Sequence, residues 1–180
     1  MITRDVRLLR TGAGYALASS PTAALHDYVT RTHRIGDVRL SGVRDLDVRA
    51  TAYELSCVLE WDPAAAPSNI GFELRRAPAG GGRHVAVGAF LNGPFAYVNR
   101  RPTVNPTGGE SQSPIDPATG RLAIRVLVDR SSVEYFIDDG RDVHSHRVFP
   151  LPGDDHLRLF VNDGEATFRA LTIRELSVGR

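Results

Sequence analysis

The 180-residue chain contains no lysine, and only one cysteine, one methionine and one tryptophan. One cysteine cannot build an internal disulfide framework, so the fold must rest on its core. Cys57, within the apolar run YELSCVLEW, reads as a small buried core residue. No apolar stretch reaches signal-peptide or membrane-span length, and Met1 is followed by Ile-Thr-Arg-Asp-Val. The glycosylation acceptor Asn-x-Ser/Thr is missing too, because Asn105-Pro106-Thr107 has proline in the blocked position. The 22 basic residues are all arginine and face 21 acidic ones, a net charge of +1. That balance argues against general electrostatic binding to nucleic acid, and no aromatic interleaving supports stacking on single strands. A hydrophobic content of 42% with 24% charged residues is ordinary for one globular domain with a single core.

What the chain does have is short β-rich runs punctuated by turn residues. In RLAIRVLVDRSSVEYFIDDGRDVHSHRVFP (Arg121 to Pro150), Leu122, Ile124, Val126 and Val128 recur with period two, and Val133, Tyr135 and Ile137 repeat the pattern. Asp138-Asp139-Gly140 supplies a hairpin turn and Val143 to Phe149 the returning strand. Upstream, Val38 and Leu40, Val48 to Trp61, Ile70 to Leu74, His84 to Leu91 and Phe95 to Val98 read as strands, separated by DPAAAPSN, APAGGG and LNGP. Asn99 to Gly120, rich in proline and glycine, reads as a long exposed loop without a strand of its own. His156 to Val161 and Ala166 to Val178 close the chain, with Asn162-Asp163-Gly164-Glu165 expected to be a hairpin between them.

At the N-terminus, Val6, Leu8 and Tyr15 to Ala18 flank Gly12-Ala13-Gly14, a small hairpin rather than a nucleotide loop, since the third glycine and the crossover helix are missing. Ser20-Pro21 sets up the one short helix, near residues 21–31, with Ser20 as N-cap and Leu25, Tyr28 and Val29 on one stripe. The expected organisation is a linker-like segment over 1–35, carrying hairpin and helix, and a β-sandwich over 36–180. The fold class is all-β, an antiparallel two-sheet sandwich of jelly-roll or concanavalin-like form.

The run VLVDRSSVEYFIDDGRDVHSHRVFP strongly resembles the C-terminal β-sandwich of glycoside hydrolase family 32, the invertases, levanases and inulinases. In that family a strand ending Val-Asp-x-Ser leads into Ser-Val-Glu-x-Phe, an Asn/Asp-Gly turn and a strand ending Phe-Pro. RDVRLLRTGAGYALASSPTAALHDY resembles the segment by which those enzymes leave the catalytic propeller, and NIGFELRR and FAYVNRRPT sit where related strands would. The resemblance implies an N-terminal five-bladed propeller as partner. It also implies a secreted longer protein whose signal precedes that domain, and no cofactor. Retaining glycosidases use two carboxyl groups about 5 Å apart. The family keeps them in the propeller, in motifs of the type Trp-x-Asn-Asp-Pro-Asn-Gly, Arg-Asp-Pro and Glu-Cys. None of these occurs here, so no catalytic residue is carried over.

Certain levan-binding modules are similar to this sandwich, which makes β-fructan or fructose a candidate ligand. Sugar binding needs an aromatic face and a few charged or amide groups. The candidates are Asp129 and Glu134 in the signature, Arg147 on the returning strand, and Asn99 with Arg100 in YVNRR, where relatives tend to read Asp-Arg. The same residues read more readily as cross-strand ion pairs that fix register. Trp61 reads as a core or rim residue rather than a sugar platform. His144 and His146, two apart on one strand, share a face and could hold a metal. The only further ligands on offer are the unanchored Asp154, Asp155 and His156, so two solvent-facing histidines are expected and no metal is assigned.

Two roles follow. A structural module would expose an apolar patch where it covers the propeller. A fructan-binding module would form a concave polar pocket around Glu134 and Arg147. Were the chain an enzyme by itself, Glu134 with Asp129 is the pairing to inspect. A lectin-like sandwich unrelated to fructosidases is the outside alternative.

Overall fold

The computed structural model describes residues 2–12, 14–78, 82–103 and 109–177. Twelve strands carry the fold: β1 (Arg4–Thr11), β2 (Gly14–Pro21), β3 (Val29–Arg49), β4 (Tyr53–Glu60), β5 (Asn69–Arg76), β6 (Val85–Phe90), β7 (Phe95–Asn99), β8 (Glu110–Pro114), β9 (Arg121–Val128), β10 (Ser132–Ile137), β11 (Asp142–Arg147) and β12 (His156–Leu176). β1 and β2 pair as a separate hairpin. The other ten form one antiparallel sheet in the order β11-β10-β9-β4-β12-β5-β6-β7-β8, with β3 laid along β12.

The sheet becomes a sandwich because β12 belongs to both layers. Its first part, from His156 to Asn162, pairs with β5, and its second, from Thr167 to Glu175, pairs with β4. β3 follows it through both. The layers meet across a core in which Phe72 of β5 packs edge-on against Phe168 of β12, with ring centroids 5.2 Å apart, and Tyr135 Oη of β10 donates to the Gly88 carbonyl of β6. The inward residues are those picked out by period two, Leu122, Ile124, Val126, Val128, Val133, Tyr135 and Ile137 among them. Cys57 is buried, and Trp61 is buried with Nε1 donating to the Pro117 carbonyl at 3.0 Å.

Three local expectations are corrected. Asn162 to Glu165 is not a hairpin: the segments on either side both run antiparallel to β3, so they continue one strand. The extra residues form a bulge, Val161 facing Gly42 and Ala166 facing Leu40. The stretch 99–120 is not strandless. Glu110 to Pro114 forms β8, whose polar ESQSP text lacks an apolar period because this edge strand pairs through its backbone with β7 and turns serine hydroxyls, not apolar groups, to the partners beside it; residues 104–108 of that stretch lie outside the described residues. Ser20 and Pro21 do not cap a helix. Both pair in β2, opposite Asp5 and Arg4, and the helical turn is a 3-10 segment over Ala23–Tyr28 entered from Thr22 without a side-chain cap. No helix of the described residues is long and apolar enough to cross a membrane.

Candidate functional site

The outer face of β4, β9, β10 and β11 carries the site. Core-facing Tyr53, Val128 and Val133 fix the pleat, so their neighbours point outward in one row: Arg174, Glu54, Leu127, Glu134 and Ser145 face one another across five strands. Two carboxylates in this row are buried and held by arginines. Glu54 accepts from Arg125 Nε at 2.8 Å and from Arg174 Nη1 at 2.8 Å. Glu134 Oε1 accepts the Ile2 backbone N–H at 3.0 Å, while its Oε2 accepts from Arg4 Nε at 3.1 Å and Arg4 Nη2 at 2.6 Å. Arg4 also bonds Ser145 and lies over the Phe136 ring, 5.3 Å from its centre. The N-terminal strap thus crosses this face and is clamped at Glu134.

On one side of the clamp opens a groove of about 580 Å³, lined by Ile2, Leu25, Tyr28, Asp129, Ser132 and Glu134 among others. On the other side lies a cleft of about 510 Å³, where Arg7, Ser19 and Ser20 of the hairpin face Ser56, Arg125 and Asp139 of the sheet. The hairpin touches down again at Gly140, whose φ of +83° and position under the Ser19 carbonyl leave no room for a side chain.

The five sequence candidates fall into two groups. Asp129 and Glu134 share the groove, Asp129 exposed and Glu134 buried with both carboxylate oxygens engaged. Arg147 stands across from Ser132 in register but turns its guanidinium over the Phe149 ring, and its backbone carbonyl accepts from Arg100 Nη1 at 3.0 Å. Asn99 Oδ1 caps the Arg101 backbone N–H at 2.9 Å. Arg147, Asn99 and Arg100 therefore lie apart from the groove lining. Glu134 bonds Ile2 and Arg4 of the N-terminal strap. Sequence offered no signal for Ile2 or Arg4 here, and placed Tyr28 only on a helix stripe.

His144 and His146 do not face solvent. Their register partners Tyr135 and Val133 are core residues, so both imidazoles turn inward at the sandwich edge. His144 Nδ1 lies 2.5 Å and His146 Nε2 2.6 Å from Ser111 Oγ of β8, and His144 Nε2 lies 2.8 Å from Ser113 Oγ. Burial lowers both pKa values; His146, further opposed by Arg100 and His144, falls to about 4. Asp154, one of the further ligands considered, is instead held by Arg83. Among the described residues no group of three histidine, cysteine or acidic side chains is placed to hold a metal.

Comparison with known proteins identifies the module. Residues 22–175 match the model of the glycosyl hydrolases family 32 C-terminal region. The levanbiose-producing levanase of Bacillus subtilis is 33% identical over 177 residues, covering 96% of this chain but 34% of that protein, and a levanase of Bacillus sp. strain L7 is 29% identical over 97% of the chain and 20% of its own length. The chain therefore spans about a third or less of these relatives. Among solved structures, the exo-inulinase of Aspergillus awamori superposes with a TM-score of 0.79 at 20% identity, covering 98% of this chain and 35% of that one. Fructan 1-exohydrolase IIa of Cichorium intybus gives 0.79 at 16% identity, over 97% and 41%. These two likenesses show the shared fold, and with the residues matched by the family model they settle that the chain belongs to glycoside hydrolase family 32 as its C-terminal β-sandwich.

Proposed function

We propose that this chain is the non-catalytic C-terminal module of a β-fructan- or sucrose-splitting glycosidase, and that it stabilises an N-terminal catalytic domain. The observation that carries this reading is the engagement of Glu134. The only pairing the sequence suggested for catalysis is Glu134 with Asp129, and a nucleophile or acid/base must have a carboxylate oxygen free for the sugar. Both oxygens of Glu134 are instead spent on Ile2 and Arg4. The levanase names of the relatives support a fructan-splitting longer protein. The test is levan, inulin and sucrose hydrolysis by the purified chain: release of fructose above blank, lost in Glu134→Gln, would overturn the non-catalytic reading.

A second reading, fructan binding, is favoured by the groove. Its lining includes the half-exposed Tyr28 together with Asp129 and Ser132, the aromatic and polar residue types that sugar recognition uses. Isothermal titration with levan, inulin, sucrose and fructose tests it. Saturable heat abolished by Tyr28→Ala or Asp129→Ala supports binding there, and no heat from folded protein removes it for those ligands.

A further inference from the structure

We propose that Val6, Leu8, Tyr15 and Leu17 are the surface by which this module docks on its own N-terminal catalytic domain, an inference that rests on the structural reading above. Period two puts Val6 and Leu8 on one side of β1. Their register partners Ser19 and Leu17, with Tyr15 opposite Arg10, share that side on β2. The four apolar side chains form a continuous ladder, and they are 60%, 65%, 71% and 64% exposed in chain order. Scattered exposed apolar residues need no explanation, but a contiguous ladder on a two-stranded hairpin does.

The hairpin is presented, not loose. Glu134 clamps its entry through Ile2 and Arg4, Gly140 receives Ser19, Ala18 is buried, and the Thr22 N–H closes its base on the Thr3 carbonyl at 3.2 Å. The outward ladder is therefore held in a fixed direction by a buried carboxylate.

Three observations select the occupant. The hairpin lies ahead of residue 22, where the family C-terminal match begins, on the side from which the remainder of the larger relatives' chain would enter. Four side chains make a patch far below the roughly 800 Å² per partner of a stable free complex. A tethered domain needs no such area, because linkage supplies effective concentration. The charge on the ladder's side is basic: Arg10 stands opposite Tyr15 there, Arg4 is paired, and Asp5 and Arg7 point into the cleft on the sheet side, so two copies would bring like charges together. The fitting partner is an apolar surface edged with carboxylates on a covalently linked domain.

The test fuses the chain in place of the C-terminal part of the Bacillus subtilis levanbiose-producing levanase and follows amide hydrogen exchange in the fusion and in the isolated chain. Exchange over residues 4–21 is expected to slow at least tenfold on fusion and to return to the isolated rate in the Leu8→Ser/Leu17→Ser double variant, which folds normally because both sites are exposed. Protection that grows elsewhere while 4–21 stays unchanged overturns this surface but keeps the structural role. No new protection anywhere overturns both. Sedimentation of the isolated chain adds a further arm: a dimer broken by the double variant would make a second copy the occupant and sink the proposal.

Discussion

Ser111 of β8 and His144 of β11 join the two free edges of the sandwich. β8 ends one arm of the sheet and β11 the other, no ladder pairs them among the described residues, and the Ser111 hydroxyl lies between His144 Nδ1 at 2.5 Å and His146 Nε2 at 2.6 Å. With neutral rings the chain of bonds closes: Ser113 donates to His144 Nε2, His144 Nδ1–H to Ser111, and Ser111 to His146 Nε2. Protonating both rings leaves the Ser111 hydrogen without an acceptor and sets two cations side by side, His146 also opposed by Arg100, with Asp142 the opposing acid at His144 and Tyr135 a neutral neighbour.

The seam should therefore fail in acid. The His146 pKa is lowered from 6.5 to about 4 by burial, then by Arg100 and His144, and burial lowers His144 in the same direction. The unfolded chain binds these protons first. Stability is full above about pH 6.5, falls as pH drops through 6.5 towards 4, and levels off below the folded pKa. Allowing for solvent screening of partly exposed rings, the loss attributable to His146 is about 1 to 2 kcal/mol. Urea midpoints between pH 7.5 and 4 measure it, and His146→Gln should flatten the slope. An unchanged slope would show that other groups carry it.

The core alternation, the Asp138 to Gly140 turn, the N-terminal hairpin and the family were legible in the sequence. Period two reports burial on one face, and turn residues report backbone conformation. What escaped were features set by long-range partners. β8 is polar because its backbone pairs only with β7 and its serine hydroxyls meet His144 and His146, and β12 passes through a turn signal because β3 holds both halves. Glu134 was visible as part of a signature, but its role depends on Arg4, 130 residues away. His144 and His146 were placed on one face correctly. Which face was decided by the register with Tyr135 and Val133.

Glu54 tests how much the buried charges on the outer face matter. It is clamped by Arg125 and Arg174, so Glu54→Gln keeps its shape but removes the charge facing two guanidiniums. Because both arginines are about a third exposed, the expected cost is about 1 to 3 kcal/mol, below the full penalty for breaking a fully buried pair. Thermal unfolding at neutral pH measures it, and a melting temperature equal to wild type would show that water replaces the ion pairs.

Phe168 tests the join between the layers. Its ring meets Phe72 at 78° in the middle of the core, on the half of β12 that pairs with β4. Phe168→Ala should cost about 3 to 5 kcal/mol through transfer and cavity terms. Chemical denaturation should show it, whereas Val43→Ala on the exposed face of β3 should leave the midpoint within error.

Gly140 separates docking of the hairpin from folding of the sandwich. Its φ of +83° disfavours any side chain, and a Cβ would overlap the Ser19 carbonyl, which is backbone and cannot swing away. Gly140→Ala must strain its own turn or push β2 off the sheet, at about 1 to 3 kcal/mol. The hairpin is the cheaper element to move, because it shares no ladder with the other ten strands. The expected result is faster amide exchange over residues 4–21 and earlier proteolysis there, with the β4, β9 and β10 amides still protected. If those core strands lose protection to the same extent as the hairpin, the two are one cooperative unit, and Glu134 and Gly140 would then be folding residues of the whole module.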